Sequence, residues 1–380
     1  MRTFRKIFRR IFIVSLATLI CLEIASRLFF PVRLNYNQVM RRLLQSPERI
    51  HVGNLSLPYD VHGLYEGAGT IYLNVSANRF IEPEPQPTDD EFRVLFLGGS
   101  TTESFYVPQD ERWVALINEH PAIAGYNGAQ SGANIIDKYH TFEYYTEQGF
   151  IFDLVVIMTT VNDYAWMVRL ASVDVPFTHE AYQVGLEAYY RHENPFNPLE
   201  LSNFYRYMKD ILEDARQPQT IVEQSLASNH IEDSTATFED CPVNKLLENF
   251  RTYEFDNMQR LYDRVTETSA KLLVMSEATG FLADSGSFET YLFTGVLCDT
   301  DTYLDAEYSS LFFEQLNAIY LEAGESVGAE TFDLATVIEA YTDSEEGGRY
   351  MYDPVHYTPV GSRLVADTLI PVLLQVIRGA

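Results

Sequence analysis

Hydrophobic and polar positions follow a regular pattern from residue 91 onward, in which short apolar runs alternate with longer amphipathic stretches. The apolar runs are short enough to be buried strands, and we predict strands at 94–97, 124–126, 153–158, 271–275 and 330–334. The amphipathic stretches predict helices at 113–117, 135–147, 250–268, 311–323 and 360–377. Strands that alternate with helices in this way indicate a parallel sheet covered on both faces.

Three stretches of the chain lack this regular pattern. Residues 31–90 are polar, and we predict an irregular lead-in that ends in a proline-rich, acidic linker at 82–90. Two insertions, at about 164–245 and 277–307, interrupt the predicted domain over 91–380. We expect the insertions to form a cap beside the strand ends, where sheets of this kind bind ligands.

The first 30 residues have a different composition from the rest of the chain. Five of the first ten residues are basic, and the uncharged apolar run 11–22 follows them, an order that is typical of an export signal. Because no clear cleavage site follows, we predict an uncleaved membrane anchor over 1–30. A cleaved signal and an amphipathic helix on a soluble protein are the alternatives. With a membrane anchor, the basic residues face the cytoplasm, and we expect the domain over 91–380 to be extracytoplasmic, either periplasmic or at the cell surface.

The whole chain carries 54 acidic and 27 basic residues and a net charge of -27 at pH 7, and the excess of acids lies in the main body. Such a body repels a polyanion, so nucleic acid is not an expected partner. The acids are dispersed along the chain, which indicates a solvated surface. Cys241 and Cys298 could pair in an oxidising compartment or remain as two thiols, whereas Cys21 lies in the apolar run.

The stretch F96-L-G-G-S-T-T-E-S104 follows the first predicted strand of the regular domain and presents Ser100. A serine hydroxyl becomes a useful nucleophile when a base lies within hydrogen-bond reach and a third group orients that base. The transition state also needs hydrogen-bond donors that point at the developing oxyanion. Ser100 is therefore a candidate nucleophile if the chain supplies a base, a carboxylate and donors.

Two histidines follow an aspartate by three residues and are candidates for the base. Asp137 and His140 fall inside the predicted helix 135–147, where this spacing is typical of a surface pair. Asp353 and His356 lie in a loop before a helix that Thr358 can cap, and such a loop is a rigid support for a base. We therefore favour His356 over His140.

Two further loops provide candidate oxyanion donors. Gly132 lies in N127-G-A-Q-S-G-A-N134 after the second strand of the regular domain, and Asn162 lies in T160-V-N-D163 after the third. The carboxyl ends of neighbouring parallel strands meet at one edge of a sheet. We therefore expect Ser100, Gly132 and Asn162 to lie close together.

The segments G98-G-S-T-T102, S131-G-A-N134, V161-N-D163 and D353-P-V-H356 occur in the order of the SGNH/GDSL hydrolase blocks. Over about residues 91–380 the chain resembles that family, and in particular its bacterial, membrane-anchored members. The resemblance implies a flavodoxin-like, three-layer α/β/α sandwich with a parallel sheet, and ester chemistry without a metal or another cofactor.

The resemblance also implies a role for each site residue. Ser100 would be the nucleophile and would donate its backbone N–H to the oxyanion. Gly132 would donate a second backbone N–H, and Asn162 would donate through its side chain. His356 would be the base, and Asp353 would orient it.

The sequence departs from the family pattern at two positions. Gly99 stands where many members have aspartate. Thr160 stands where the third block usually has glycine, and its added side chain could alter the backbone that directs Asn162.

These observations lead to three functional hypotheses. The first is an exported serine esterase that hydrolyses a carboxylic ester, such as an O-acetyl group of a carbohydrate or another small-molecule ester. The second is an acyltransferase that uses the same triad, and the third is an inactive glycan-binding or assembly protein. Beyond the substrate, the expected partner is the membrane that holds the N-terminal helix, and the sequence predicts no particular oligomeric state.

Overall fold

The computed structural model describes residues 2–29, 49–158, 160–171, 243–280, 306–342 and 347–379, together with a few single residues between these ranges. Most residues of the two predicted insertions lie outside the described residues, and so do Cys241 and Cys298. The predictions for those parts of the chain stay predictions.

The described strands and helices are numbered in chain order. The strands are β1 (Leu55–Asp60), β2 (Thr70–Val75), β3 (Phe92–Gly98), β4 (Ile123–Asn127), β5 (Leu154–Met158), β6 (Lys271–Met275) and β7 (Glu330–Phe332). The helices are α1 (Arg2–Phe29), α2 (Ser100–Glu103), α3 (Trp113–Ile117), α4 (Ile135–Glu147), α5 (Thr160–Ala171), α6 (Val243–Thr266), α7 (Ala306–Val327), α8 (Leu334–Thr342) and α9 (Pro359–Arg378).

Five strands form a parallel sheet in the spatial order β4-β3-β5-β6-β7. This order belongs to the flavodoxin-like type of doubly wound sheet, in which the first strand lies between the second and the third. The five strands predicted from the apolar runs are confirmed, with shifts of one or two residues at their ends. The order reverses at β3, so the loops after β3, β4 and β5 lie side by side at one edge.

Two hydrophobic cores lie on opposite faces of the sheet, because alternate strand residues point to opposite sides. Leu95, Val155 and Leu272 pack against helices α4, α6 and α7 on one face. Phe96, Val156 and Leu273 pack against helices α3, α8 and α9 on the other face. The predicted three-layer α/β/α class is therefore confirmed.

The lead-in is not irregular throughout, which corrects the prediction for 31–90. Strands β1 and β2 pair as an antiparallel hairpin, and Ile81 then donates its backbone N–H to the Asn127 carbonyl at the edge of the sheet. Phe80 is fully buried and stacks on Tyr145 of α4, with 4.1 Å between the ring centroids. The alternation of buried and more exposed residues along β2 (Thr70–Val75) is the pattern of a half-buried strand.

The predicted surface pair of Asp137 and His140 is also wrong. The Asp137 side chain is fully buried and accepts a 2.6 Å hydrogen bond from Nη1 of Arg49, which is equally buried. Asp137 also closes a capping box with Asn134 at the start of α4. His140 lies near the surface instead, 3.7 Å from Glu143. The partner of Asp137 is therefore Arg49, which precedes the hairpin. A pair so far apart in the sequence could not be predicted from a local pattern.

Two helices are long and apolar enough to cross a membrane, judged by length and composition among the described residues. One is the stretch Arg9–Phe29 of α1, whose apolar side chains are mostly exposed, as expected of a membrane anchor or a signal. The other is α9, which contributes Val365, Leu369 and Leu373 to the core and is therefore a core helix of the sandwich.

Candidate active site

Ser100 begins the short helix α2 directly after strand β3. Gly99 precedes it in an extended conformation, so the chain turns sharply from strand to helix at this point. The turn places the Ser100 hydroxyl beyond the carboxyl end of β3, at the point where the strand order reverses. Ligands bind at this position in open parallel sheets.

The loop that carries His356 is fixed by hydrogen bonds on both sides. Asp353 Oδ1 accepts from the backbone N–H groups of Val355 and His356, each at 2.9 Å. Thr358 caps α9 by accepting from Gly361 N at 3.2 Å, as predicted from the sequence. The loop therefore has few ways to move without loss of hydrogen bonds.

Ser100, His356 and Asp353 form a continuous chain of hydrogen bonds. Ser100 Oγ lies 2.7 Å from His356 Nε2. His356 Nδ1 lies 2.7 Å from Asp353 Oδ2 and 2.9 Å from Oδ1. The Asp353 side chain is fully buried, whereas 14% of the His356 side chain is exposed. With the proton on Nδ1, the imidazole accepts the serine proton at Nε2, which is the arrangement of a nucleophile, a base and an orienting acid.

Two opposing influences set the pKa of His356. Burial by itself lowers the pKa, because it disfavours the imidazolium form. The adjacent Asp353 carboxylate opposes burial through its charge and its hydrogen bond, with smaller contributions from Glu277 and Glu103. The carboxylates prevail, and the pKa lies above its ordinary value of 6.5.

Asn162 lies in the first turn of α5, at the carboxyl end of β5, and its side chain reaches Gly99. A Cβ atom at Gly99 would overlap Asn162 Nδ2, so the aspartate found in many members of the resembled family does not fit here. Among the described residues, the buried Nδ2 finds no hydrogen-bond acceptor. An unpaired donor beside a candidate nucleophile is what an oxyanion hole requires before substrate binds.

Gly132 has a left-handed backbone conformation, with φ of +73°. Its carbonyl accepts a 2.6 Å hydrogen bond from Trp166 Nε1 and a longer one from Arg49 Nη1. Trp166 is 2% exposed and belongs to the core. These contacts fix the carbonyl on one side of Gly132 and so orient the peptide groups of the loop.

Glu103 is a further residue of the site that could not be predicted from the sequence. Its Oε2 atom accepts from the backbone N–H and the hydroxyl of Ser131, the residue before Gly132. Its Oε1 atom lies 3.0 Å from His51 Nε2. Helix α2 is therefore tied to the Gly132 loop through a buried carboxylate. The only signal in the sequence was that Glu103 lies three residues after Ser100.

Thr160, the second departure from the family pattern, has a partner of its own. Its hydroxyl donates a 2.8 Å hydrogen bond to Asn317 Oδ1 on α7, and both side chains are buried. The side chain thus faces the body of the protein and leaves Asn162 beside Gly99.

No protein-family model and no curated protein matches the chain. Several solved structures resemble it. An acetyl xylan esterase is 13% identical and covers 74% of this chain and 100% of its own, with a TM-score of 0.39. A member of the lipolytic G-D-S-L family from Veillonella parvula is 13% identical, with coverages of 75% and 99% and a TM-score of 0.38. A GDSL-like lipase from Bacteroides thetaiotaomicron is 14% identical, with coverages of 78% and 92% and a TM-score of 0.37. All three TM-scores are below 0.5, so the case for an activity rests on the geometry of the site.

We expect the pKa of His356 to lie above 6.5 in the intact protein and to fall in Asp353→Asn. The substitution removes the carboxylate that raises this pKa most, whereas burial, which lowers it, remains. NMR titration of the imidazole protons measures both values, and His356→Gln identifies the resonance. A His356 pKa that does not fall in Asp353→Asn would contradict the geometry described here.

Proposed function

We propose that the protein is a serine esterase of the SGNH type that hydrolyses a carboxylic ester through an acyl-enzyme. The observation that carries the proposal is the hydrogen-bond chain from Ser100 Oγ through His356 to Asp353, with a heavy-atom distance of 2.7 Å at each link. Asn162 Nδ2 beside Gly99, which finds no acceptor among the described residues, supports it independently.

In the first step, Ser100 Oγ attacks the ester carbonyl carbon while His356 Nε2 takes the hydroxyl proton. Asp353 stabilises the imidazolium that forms. The negative charge passes to the carbonyl oxygen, which accepts from the Ser100 and Gly132 backbone N–H groups and from Asn162 Nδ2. The tetrahedral intermediate then collapses, His356 returns the proton to the leaving alcohol, and the acyl group stays on Ser100.

In the second step, water attacks the acyl-enzyme while His356 takes a proton from it. Collapse of the second intermediate releases the carboxylic acid and restores the Ser100 hydroxyl. Both steps need a neutral imidazole at the start. Activity therefore falls as the pH drops through the His356 pKa, which lies above 6.5.

We also propose that the esterase domain is extracytoplasmic and is tethered to the membrane by α1. The length and hydropathy of Arg9–Phe29 support the tether. The basic residues before this stretch favour a cytoplasmic N-terminus. A carboxylic ester on a carbohydrate, such as an O-acetyl group, is the substrate class that we propose for a domain in this location.

Ser100→Ala and His356→Ala should abolish both labelling by a fluorophosphonate probe and hydrolysis of p-nitrophenyl acetate by the full chain in detergent. Asp353→Asn should lower the rate by roughly 10³- to 10⁴-fold, because the imidazole loses its orienting partner. His140→Ala is the matched control and should retain both activities, since His140 lies on the outer part of α4 near Glu143. A folded Ser100→Ala protein that still turns over would refute the proposal.

Gly99→Ala should lower kcat by about 10²- to 10³-fold, as the loss of one oxyanion donor does. The reason is that the added Cβ displaces Asn162 Nδ2. Asn162→Ala should cause a similar loss, and the double variant should be little worse than either single variant. Losses that multiply in the double variant would show that Gly99 and Asn162 act separately.

A further inference from the structure

Glu277 lies just beyond the carboxyl end of β6, and its side chain is fully buried. A buried carboxylate is costly unless hydrogen bonds satisfy its oxygens. Glu277 Oε1 accepts from Thr101 Oγ1 at 2.8 Å, and Oε2 accepts from the backbone N–H of Val161 at 2.9 Å. Each oxygen of this one side chain thus bonds to a different element of the candidate site.

The two partners of Glu277 are direct neighbours of proposed site residues. Thr101 follows Ser100 in α2, and Val161 precedes Asn162 in α5. A displacement of α5 relative to α2 would stretch at least one of the two hydrogen bonds. The carboxylate therefore spans the gap between the nucleophile and the side-chain oxyanion donor.

Asn317 of α7 holds Glu277 itself in place. Its Nδ2 donates to the Glu277 carbonyl at 2.9 Å, and its Oδ1 accepts from the Glu277 backbone N–H at 3.0 Å. The same Oδ1 accepts from Thr160 Oγ1 at 2.8 Å. The hydroxyl of Thr160 thus becomes part of the support for α5, in place of the glycine that is usual in the resembled family.

Glu277 is also close enough to His356 for each charge to influence the other. Burial raises the pKa of Glu277 above its ordinary value, and the hydrogen bonds from Val161 and Thr101 and the charge of His356 oppose that shift. The acidic groups whose charges raise the pKa of His356 are Asp353, Glu277 and Glu103, and the ring of Tyr352 stacks parallel to the imidazole. A change of charge at Glu277 should therefore change the pKa of His356, the proposed base.

We propose that Glu277 is a positioning residue, which holds the Asn162 donor in register with Ser100 and places a carboxylate within electrostatic range of His356. The proposal rests on the esterase function proposed above and adds a residue that touches neither substrate nor reacting atoms. It also explains how the site accommodates a threonine at position 160.

The test compares Glu277→Ala and Glu277→Gln in the full chain. We expect Glu277→Ala to lower kcat for p-nitrophenyl acetate by about 10²-fold, comparable to the loss of one oxyanion donor, with little change in KM. Adding Asn162→Ala to this variant should cost little more, because the donor is already out of place. Glu277→Gln keeps the side-chain shape and one acceptor oxygen, and should restore most of kcat.

NMR titration provides a readout that needs no turnover and does not depend on Glu277→Ala folding. In Glu277→Gln, the His356 pKa should fall, because a negative charge near the imidazolium is removed. Glu254→Gln is the control for loss of a buried carboxyl group: Glu254 is equally buried but is not among the acidic groups whose charges raise the pKa of His356, and its substitution should leave the His356 titration unchanged.

Two results would overturn this proposal. One is a loss of kcat in the Glu277→Ala, Asn162→Ala double variant that equals the product of the two single losses. The other is a His356 pKa that is the same in Glu277→Gln as in the unmodified protein. An unmodified protein that neither labels with fluorophosphonate nor turns over would refute the esterase function instead. In that case, the NMR titration would still show whether the charge of Glu277 affects the pKa of His356.

Discussion

The hydrogen bond from Ser100 to His356 joins residues that are 256 positions apart, and the candidate site depends on it. A contact at 2.7 Å requires the end of β3 and the loop before α9 to be fixed to within a fraction of an ångström. The sheet fixes the first partner, since β3 lies between β4 and β5 with both faces covered. The cap of α9 and the hydrogen bonds to Asp353 fix the second.

Two buried carboxylates connect the helix that carries the nucleophile to the elements that carry the oxyanion donors. Glu103 ties α2 to the loop that carries Gly132, and Glu277 ties α2 to the helix that carries Asn162. An acidic chain was expected to expose its acids, yet the interior keeps several of them, and the oxygens of Glu103 and Glu277 accept hydrogen bonds there. Burial of a carboxylate costs free energy, because the group loses its hydration. Both carboxylates lie next to the candidate site, where their hydrogen bonds fix the positions of the site residues.

The strands of the sheet and the residues that meet at its edge could be predicted from the sequence. Apolar runs gave the strands, and the strand ends placed Ser100 and Asn162 together, because neighbouring parallel strands end at one edge. The hairpin in the lead-in was missed, although residues 70–75 alternate polar and apolar side chains as a half-buried strand does. The Arg49–Asp137 pair and the roles of Glu277 could not be predicted, since each depends on partners more than 80 residues away.

The measurement that tests the central claim most directly is the identification of the acylated residue during turnover. The full chain is mixed with p-nitrophenyl acetate, quenched in acid within the first turnovers, digested and analysed by peptide mass spectrometry. The account predicts an acetyl group on Ser100 that appears before steady state and disappears as the ester is consumed. Turnover with Ser100 unmodified throughout, or with the acetyl group on another residue, would contradict it.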